Sequence, residues 1–232
     1  MTSIPFDIVG FDLDGTLLDT GADLAAAMNH ALATIGRPPF AIEALKPLIG
    51  RGARSMLDRG LARTGGTSPA LVDELLPKLL AFYEAHIAVH TKPYPGLLDA
   101  LDAMAARGVR VAICTNKREL LARKLLDALD LSPRFAAIVG GDTLGPGRLK
   151  PRPDLLVEMV ARAGGGRAVF LGDTDNDTGA ARAAGIPSIA VSFGFVPCTP
   201  QELGADAGID HYDELVPLLE GWPAHKGYPT GR

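Results

Sequence analysis

Only two cysteines, Cys114 and Cys198, occur among the 232 residues, which excludes a disulfide-stapled fold and predicts a reducing, cytoplasmic setting. Lysine and arginine form no block, and 23 basic residues against 27 acidic ones leave a formal charge of −4. A nucleic-acid footprint is therefore not expected. Long apolar runs are also missing. The longest candidate, the charge-free stretch between Arg182 and Glu202, is interrupted by Pro187, Ser188, Ser192, Gly194, Pro197 and Pro200, well short of the ~20 continuous apolar residues a bilayer requires. No membrane span is expected, and no basic-then-apolar leader precedes Asp7 and Asp12. Neither a Gly-x-Ser-x-Gly elbow nor a complete phosphate-binding Gly-x-x-x-x-Gly-Lys-Ser/Thr loop is present, so serine-triad hydrolases and P-loop NTPases drop out. The five histidines, His30, His86, His90, His211 and His225, lack metal-ligand or triad spacing.

What is present suits a globular protein. Aromatics make up only 6%, but 47% of the residues are hydrophobic and 22% charged, enough apolar material for a sizeable core. The length exceeds one ordinary domain and falls short of two, so a smaller unit has been added to one core. Nearly all-apolar runs at Phe6 to Phe11, Val109 to Cys114, Ala136 to Val139, Ala168 to Leu171 and Ser188 to Val191 read as strands covered on both faces. Helical patterns lie between them, at Leu97, Leu98, Leu101 and Met104, at Leu120, Leu121, Leu125 and Leu129, at Leu155, Leu156, Met159 and Val160, and across Thr178 to Ala184. This alternation predicts an α/β fold with a Rossmann-like parallel sheet. From Thr20 to Lys92 only helical stripes occur, broken at Pro38-Pro39 and Gly65-Gly66. Residues 20–92 are expected to form an inserted α-helical cap domain on a core of residues 1–19 and 93–232. The segment from Trp222 to Arg232 reads as an irregular tail.

Ligands of a doubly wound sheet bind beyond the carboxyl ends of its strands, and there the sequence collects chemistry. The first strand runs into Asp12-Leu13-Asp14-Gly15-Thr16, the second into Thr115-Asn116-Lys117, and the Ala168 strand into Gly172-Asp173-Thr174-Asp175-Asn176-Asp177. Lys150 opens the helix after the Ala136 strand. Asp12 and Asp14, two apart, are expected to project to one side. Any one of these residues alone could be a cap or a turn residue, as Asp19, Asp142, Asp154 and Asp213 are expected to be. Together, Asp12, Asp14, Asp173 and Asp177 against Lys150 place four carboxylates on one ammonium. Such a pocket repels a phosphate dianion unless a hard divalent cation intervenes, which predicts Mg²⁺ and phosphoryl transfer. Cys114 reads as a small buried hydrophobe.

At these residues the sequence resembles the haloacid dehalogenase-like phosphohydrolase superfamily, over nearly the whole chain. The resemblance implies that Asp12 is a nucleophile forming an aspartyl phosphate, and that Asp14 is the acid and then the base, its carboxyl raised by crowding from Asp12 and Asp173. It implies Mg²⁺ held by Asp12, the Asp14 carbonyl and Asp173, with Asp177 in support, and phosphoryl oxygens bound by Thr115, Lys150 and secondarily Asn116. Arg148 is a rival cation to Lys150, and Asp175 a rival to Asp177. Within the superfamily, Leu48-Ile49-Gly50-Arg51-Gly52-Ala53, Ile113-Cys114-Thr115-Asn116-Lys117, Gly140-Gly141-Asp142-Thr143-Leu144 and Leu203-Gly204-Ala205-Asp206 look like phosphoglycolate phosphatases. That implies a small phosphorylated metabolite, 2-phosphoglycolate, with Arg51 or Arg54 of a cap loop pairing with its carboxylate; the sequence leaves open whether either arginine faces the pocket or solvent. The competing readings are a sugar-phosphate mutase, a pyrophosphatase, a broad nucleotidase and, from another class, a phospho-receiver switch. Dehalogenation would leave Asp14 and the metal carboxylates without a purpose, and phosphonate hydrolysis would need a cap lysine such as Lys46 or Lys78. Monomer and homodimer are both compatible with the sequence.

Overall fold

The computed structural model describes residues 4–223. Six parallel strands form the central sheet: β1 (Ile8–Phe11), β4 (Arg110–Cys114), β5 (Ala137–Val139), β6 (Ala168–Gly172), β7 (Ser188–Val191) and β8 (Ala207–Ile209), in the spatial order β5-β4-β1-β6-β7-β8. Order reverses between β1 and β6, which pair from Ile8 with Ala168 to Phe11 with Leu171. Every side chain of β1, β6 and β7 is buried, as expected of parallel strands sandwiched by helices. The α/β, Rossmann-like reading therefore holds.

Two apolar layers enclose the sheet. One contains Val9, Phe11, Ile113, Leu171 and Ile189 packed on α5 (Leu97–Ala105), α6 (Glu119–Ala128) and α10 (Leu215–Glu220). The other sets Ile8, Ala112 and Phe170 against α7 (Asp154–Arg162) and α8 (Asp175–Ala183). A short helix α9 (Pro200–Leu203) precedes β8 and carries a Thr199–Glu202 capping box.

Between the first two core strands lie α1 (Gly21–Ala33), α2 (Ile42–Leu45), α3 (Ala53–Arg63) and α4 (Pro69–Ala85). They share an apolar cluster built on Leu24, Met28, Leu32, Leu57, Leu75 and Leu79, which Leu121 of α6 joins from the core. In α4, Ser68 caps the first turn through the Leu71 N–H, Pro69 occupies the position where no N–H is needed, and Val72, Leu75, Leu79 and Tyr83 form the buried stripe. The chain leaves and re-enters the core through a two-residue antiparallel ladder, β2 (Leu18–Asp19) with β3 (Lys92–Pro93). Beside it, the buried Asp23 carboxylate of α1 accepts from the His90 and Thr91 N–H groups and the Thr91 hydroxyl.

Several sequence expectations change. Leu98 and Leu120, placed in apolar stripes, are exposed. Trp222 has no regular secondary structure, as expected, but it is buried and meets Phe6 edge-on at 5.4 Å. Residues 224–232 of that segment, with His225, lie outside the described residues. The β5 exit is unusually close to α6, since a Cβ on Gly140 would sit 2.2 Å from the Glu119 nitrogen and 2.4 Å from its Cα. Backbone cannot yield as a side-chain tip can. Gly140→Ala is expected to destabilise the fold by about 1–3 kcal/mol, read as a melting temperature several degrees lower; an unchanged melt would contradict this packing.

Candidate active site

The residues singled out in the sequence meet at the carboxyl end of the sheet. Asp12 follows β1, and its N–H bonds the Leu171 carbonyl of β6, holding it at the point where strand order reverses. Asp12, Asp173 and Asp177 are all buried, with one carboxylate oxygen each inside a 4.8 Å cluster. Lys150 is the counter-ion: its side chain is 1% exposed, and Nζ lies 2.6 Å from Asp177 Oδ1, 2.8 Å from Asp12 Oδ1 and 2.9 Å from the Cys114 carbonyl. Asp12 Oδ1 makes no well-directed hydrogen bond despite that ion pair. Burial alone would lower the Lys150 ammonium, but Asp12 and Asp177 outweigh it and hold it raised.

The rival residues separate cleanly. Arg148 pairs with Asp154 at the surface, while Lys150 reaches the carboxylates. Asp175 is exposed, whereas Asp177 closes a capping box with Thr174 at the start of α8 while accepting from Lys150. Asp173 accepts from the Thr16 hydroxyl and the Phe195 N–H, both at 3.1 Å. Gly15 makes this approach possible: its φ of +87° is left-handed, and a Cβ there would lie 2.5 Å from Asp173 Oδ2.

Asp14 lies outside the Asp12–Asp173–Asp177 cluster, although its charge still acts on Asp12, and its carboxylate accepts from the Thr20 hydroxyl at 2.7 Å and from Lys117 Nζ at 2.5 Å. Lys117, whose ammonium Asp14 and Tyr83 keep raised against the effect of burial, had no assigned role in the sequence reading. It changes the local balance from four carboxylates on one ammonium to four on two. Its only sequence signal was its place beside Thr115 at a strand exit, where a lysine ordinarily reads as solvated.

Asn116 lines the same cavity as Asp12 and Thr115, and its side-chain amide donates to the Gly50 and Lys150 carbonyls and accepts from the Lys150 N–H. It is a backbone brace for Lys150. Thr115, buried at the β4 exit, accepts from the Lys117 N–H at 3.2 Å and keeps its own O–H for another acceptor. Cys114 is fully buried, and burial pushes its thiol up to about 12, so it is not an activated thiolate.

A cavity of about 220 Å³ opens from Asp12, Asp14 and Thr115 toward α3 and α4. Arg51 and Arg54 both line it, although Arg51 pairs with Asp175 at 3.1 Å and Arg54 with Asp73 at 2.6 Å. Such exposed pairs contribute little and exchange readily. Arg118, which the sequence reading passed over, lines the same cavity and makes no ion pair among the described residues. No described histidine lines it. No helix among the described residues is long and apolar enough to cross a membrane.

The acidic cluster and its buried lysine thus lie at the strand-order reversal of a Rossmann-like sheet. The family profile described as haloacid dehalogenase-like hydrolase matches residues 6–185, and the chain belongs to that family. Among its relatives, the phosphoglycolate phosphatase of Agrobacterium fabrum is 41% identical, covering 94% of this chain and 95% of its own. That of Caulobacter vibrioides is 39% identical, with 93% of each chain covered. A solved structure from Lactobacillus delbrueckii subsp. bulgaricus superposes with a TM-score of 0.85 at 29% identity, over 94% of this chain and 99% of that one.

The carboxylates tie stability to pH. Burial, against the opposing Lys150 ammonium and with the help of Asp177, raises Asp12 to about 6, and burial together with the Asp177 and Asp12 charges raises Asp173 well above the ordinary aspartate range. The native state therefore holds protons that the unfolded chain has lost, so the stability associated with these groups is full below about pH 4 and falls as pH rises through about 6. Without divalent metal, Asp173→Asn is expected to gain stability relative to the unsubstituted protein as melts move from pH 4 to pH 7. A constant difference would contradict the clustering.

Proposed function

We propose that this protein is a Mg²⁺-dependent phosphomonoesterase that forms an aspartyl phosphate on Asp12 and dephosphorylates 2-phosphoglycolate to glycolate. The observation that carries the reading is the buried Asp12 carboxylate held beside Lys150 at the floor of a cavity, in a chain whose relatives bear the phosphoglycolate phosphatase name over nearly their full length.

The donor set suits the metal. Asp12, Asp173 and Asp177 supply hard oxygen ligands in one buried cluster, and Asp12 Oδ1 lacks a directed donor. Asp12, the Asp14 carbonyl and Asp173 would hold the ion, with Asp177 steadying Lys150. A bound Mg²⁺ would offset the carboxylates' repulsion of a phosphate dianion.

The chain's own groups then divide the work. The Asp12 carboxylate attacks phosphorus and the bond to the leaving oxygen breaks; Asp14 gives that oxygen a proton, then takes one from the water that cleaves the acyl phosphate. Thr115 donates its free O–H, and Lys150 supplies positive charge, where phosphoryl charge accumulates. Arg51 is the cap-loop cation for the substrate carboxylate, released from its exposed pair with Asp175. Residues 20–92 serve as a cap over the core of residues 1–19 and 93–232. A cytoplasmic setting agrees with the two free thiols, Cys114 and Cys198.

A steady-state panel with Mg²⁺ tests the substrate: 2-phosphoglycolate should exceed hexose phosphates, nucleoside monophosphates and pyrophosphate in kcat/KM by ~10²-fold, about 2.7 kcal/mol. Asp12→Asn should lose about 10³-fold or more of that turnover; near-normal activity would remove Asp12 as nucleophile.

Because the metal competes with protons for raised carboxylates, added Mg²⁺ is expected to raise the melting temperature more at pH 7.5 than at pH 5. Asp173→Asn should abolish most of that gain. Equal shifts at both pH values would argue against this ligand set.

A further inference from the structure

The cavity wall contributed by α4 consists of Leu76, Leu79, Leu80 and Tyr83. Three of these are purely apolar, and the fourth carries a hydroxyl. Tyr83 is 2% exposed, and the polar group beside its Oη is the Lys117 ammonium, which can only donate, so the Tyr83 O–H has no acceptor among the described residues. Leaving a buried hydroxyl unpaired costs about 1–3 kcal/mol, and a phenylalanine would fill the same space without that cost. The hydroxyl therefore calls for an acceptor that the chain itself does not supply.

Its surroundings specify the kind of acceptor. Lys117 Nζ lies 4.8 Å from the centroid of the Tyr83 ring and pairs with Asp14 on its other side. An O–H donor next to an ammonium suits an anionic oxygen. The phosphoryl end of a substrate is assigned to Asp12 and Thr115, which line the cavity, with Lys150 paired to Asp12 behind them, so the group reaching Tyr83 on the α4 wall is the other end of the molecule.

We infer that Tyr83 is a specificity-determining residue whose hydroxyl donates to the carboxylate of the substrate's leaving group, with the Lys117 ammonium alongside. This rests on the 2-phosphoglycolate reading and extends it to a residue outside the Gly50–Ala53 loop. Burial pushes the Tyr83 hydroxyl up to about 12, so it stays a donor across the physiological range. Leu76, Leu79 and Leu80 on the same wall make the surroundings apolar, which strengthens a bond to charge.

Tyr83→Phe isolates the hydroxyl, and ethyl phosphate, in which a methyl replaces the carboxylate, isolates its partner. The unsubstituted protein should prefer 2-phosphoglycolate to ethyl phosphate; absence of that preference would sink the substrate reading itself, before any variant is made. Given the preference, Tyr83→Phe should lower kcat/KM for 2-phosphoglycolate by about 10- to 100-fold, the range for a hydrogen bond to a charged group. It should leave ethyl phosphate within about twofold. The ligand-free variant should melt within a degree or two of the unsubstituted protein, since the lost O–H had no acceptor and Lys117 keeps its pair with Asp14. An unchanged kcat/KM for 2-phosphoglycolate, or an equal loss on both substrates, would overturn the role of Tyr83 while leaving the phosphatase reading intact.

Discussion

Charge balance around one buried lysine governs the rest of the site. Lys150 is held between Asp12 and Asp177 with a third contact to the Cys114 carbonyl, and removing it would leave carboxylates uncompensated in a region closed to water. Its backbone is fastened by Asn116, and its partner Asp177 is part of the first turn of α8. The chain at Gly172 runs so close to Asp177 that a Cβ there would lie 2.2 Å from the Asp177 Cβ. A turn geometry, a helix start and an ion pair are thus one requirement, met by residues from three strand exits.

The two acidic residues of the first loop have been given different company. Asp12 faces the carboxylate cluster and Lys150, whereas Asp14 faces Lys117 and Thr20. Two carboxylates two residues apart can take distinct chemical tasks when each has its own cation. Lys117 also stands against the Tyr83 ring, so the helical insert contributes directly to the surroundings of a core residue.

Much of the fold was legible because strands buried on both faces announce themselves as short apolar runs, and the β1, β4, β6 and β7 cores fall where those runs fall. Strand β8 was not, since Ala207-Gly208-Ile209 is a half-exposed edge with only Ile209 buried. The candidate site was readable where a residue's type already limits its use: carboxylates and a lysine at strand exits admit few roles. It was less readable where a side chain has several equivalent partners. Asn116 can serve phosphate or backbone, and here its amide meets the backbone. Lys117 is ordinary at a helix start until Asp14 turns toward it. Tyr83 falls at one more buried position of the α4 stripe, and periodicity registers its ring and not its hydroxyl.

The β2–β3 ladder and the Asp23 clamp bring the two crossings of the chain together before any helix of the insert is counted. In polymer terms, the core sees the intervening residues as a closed loop whose ends are already joined. Doubling the length of such a loop adds only about 0.6 kcal/mol to its closure entropy. The core is therefore nearly indifferent to the size of what is inserted there, and the same sheet can carry a larger or smaller insert without rebuilding the strand exits that hold Asp12 and Lys150.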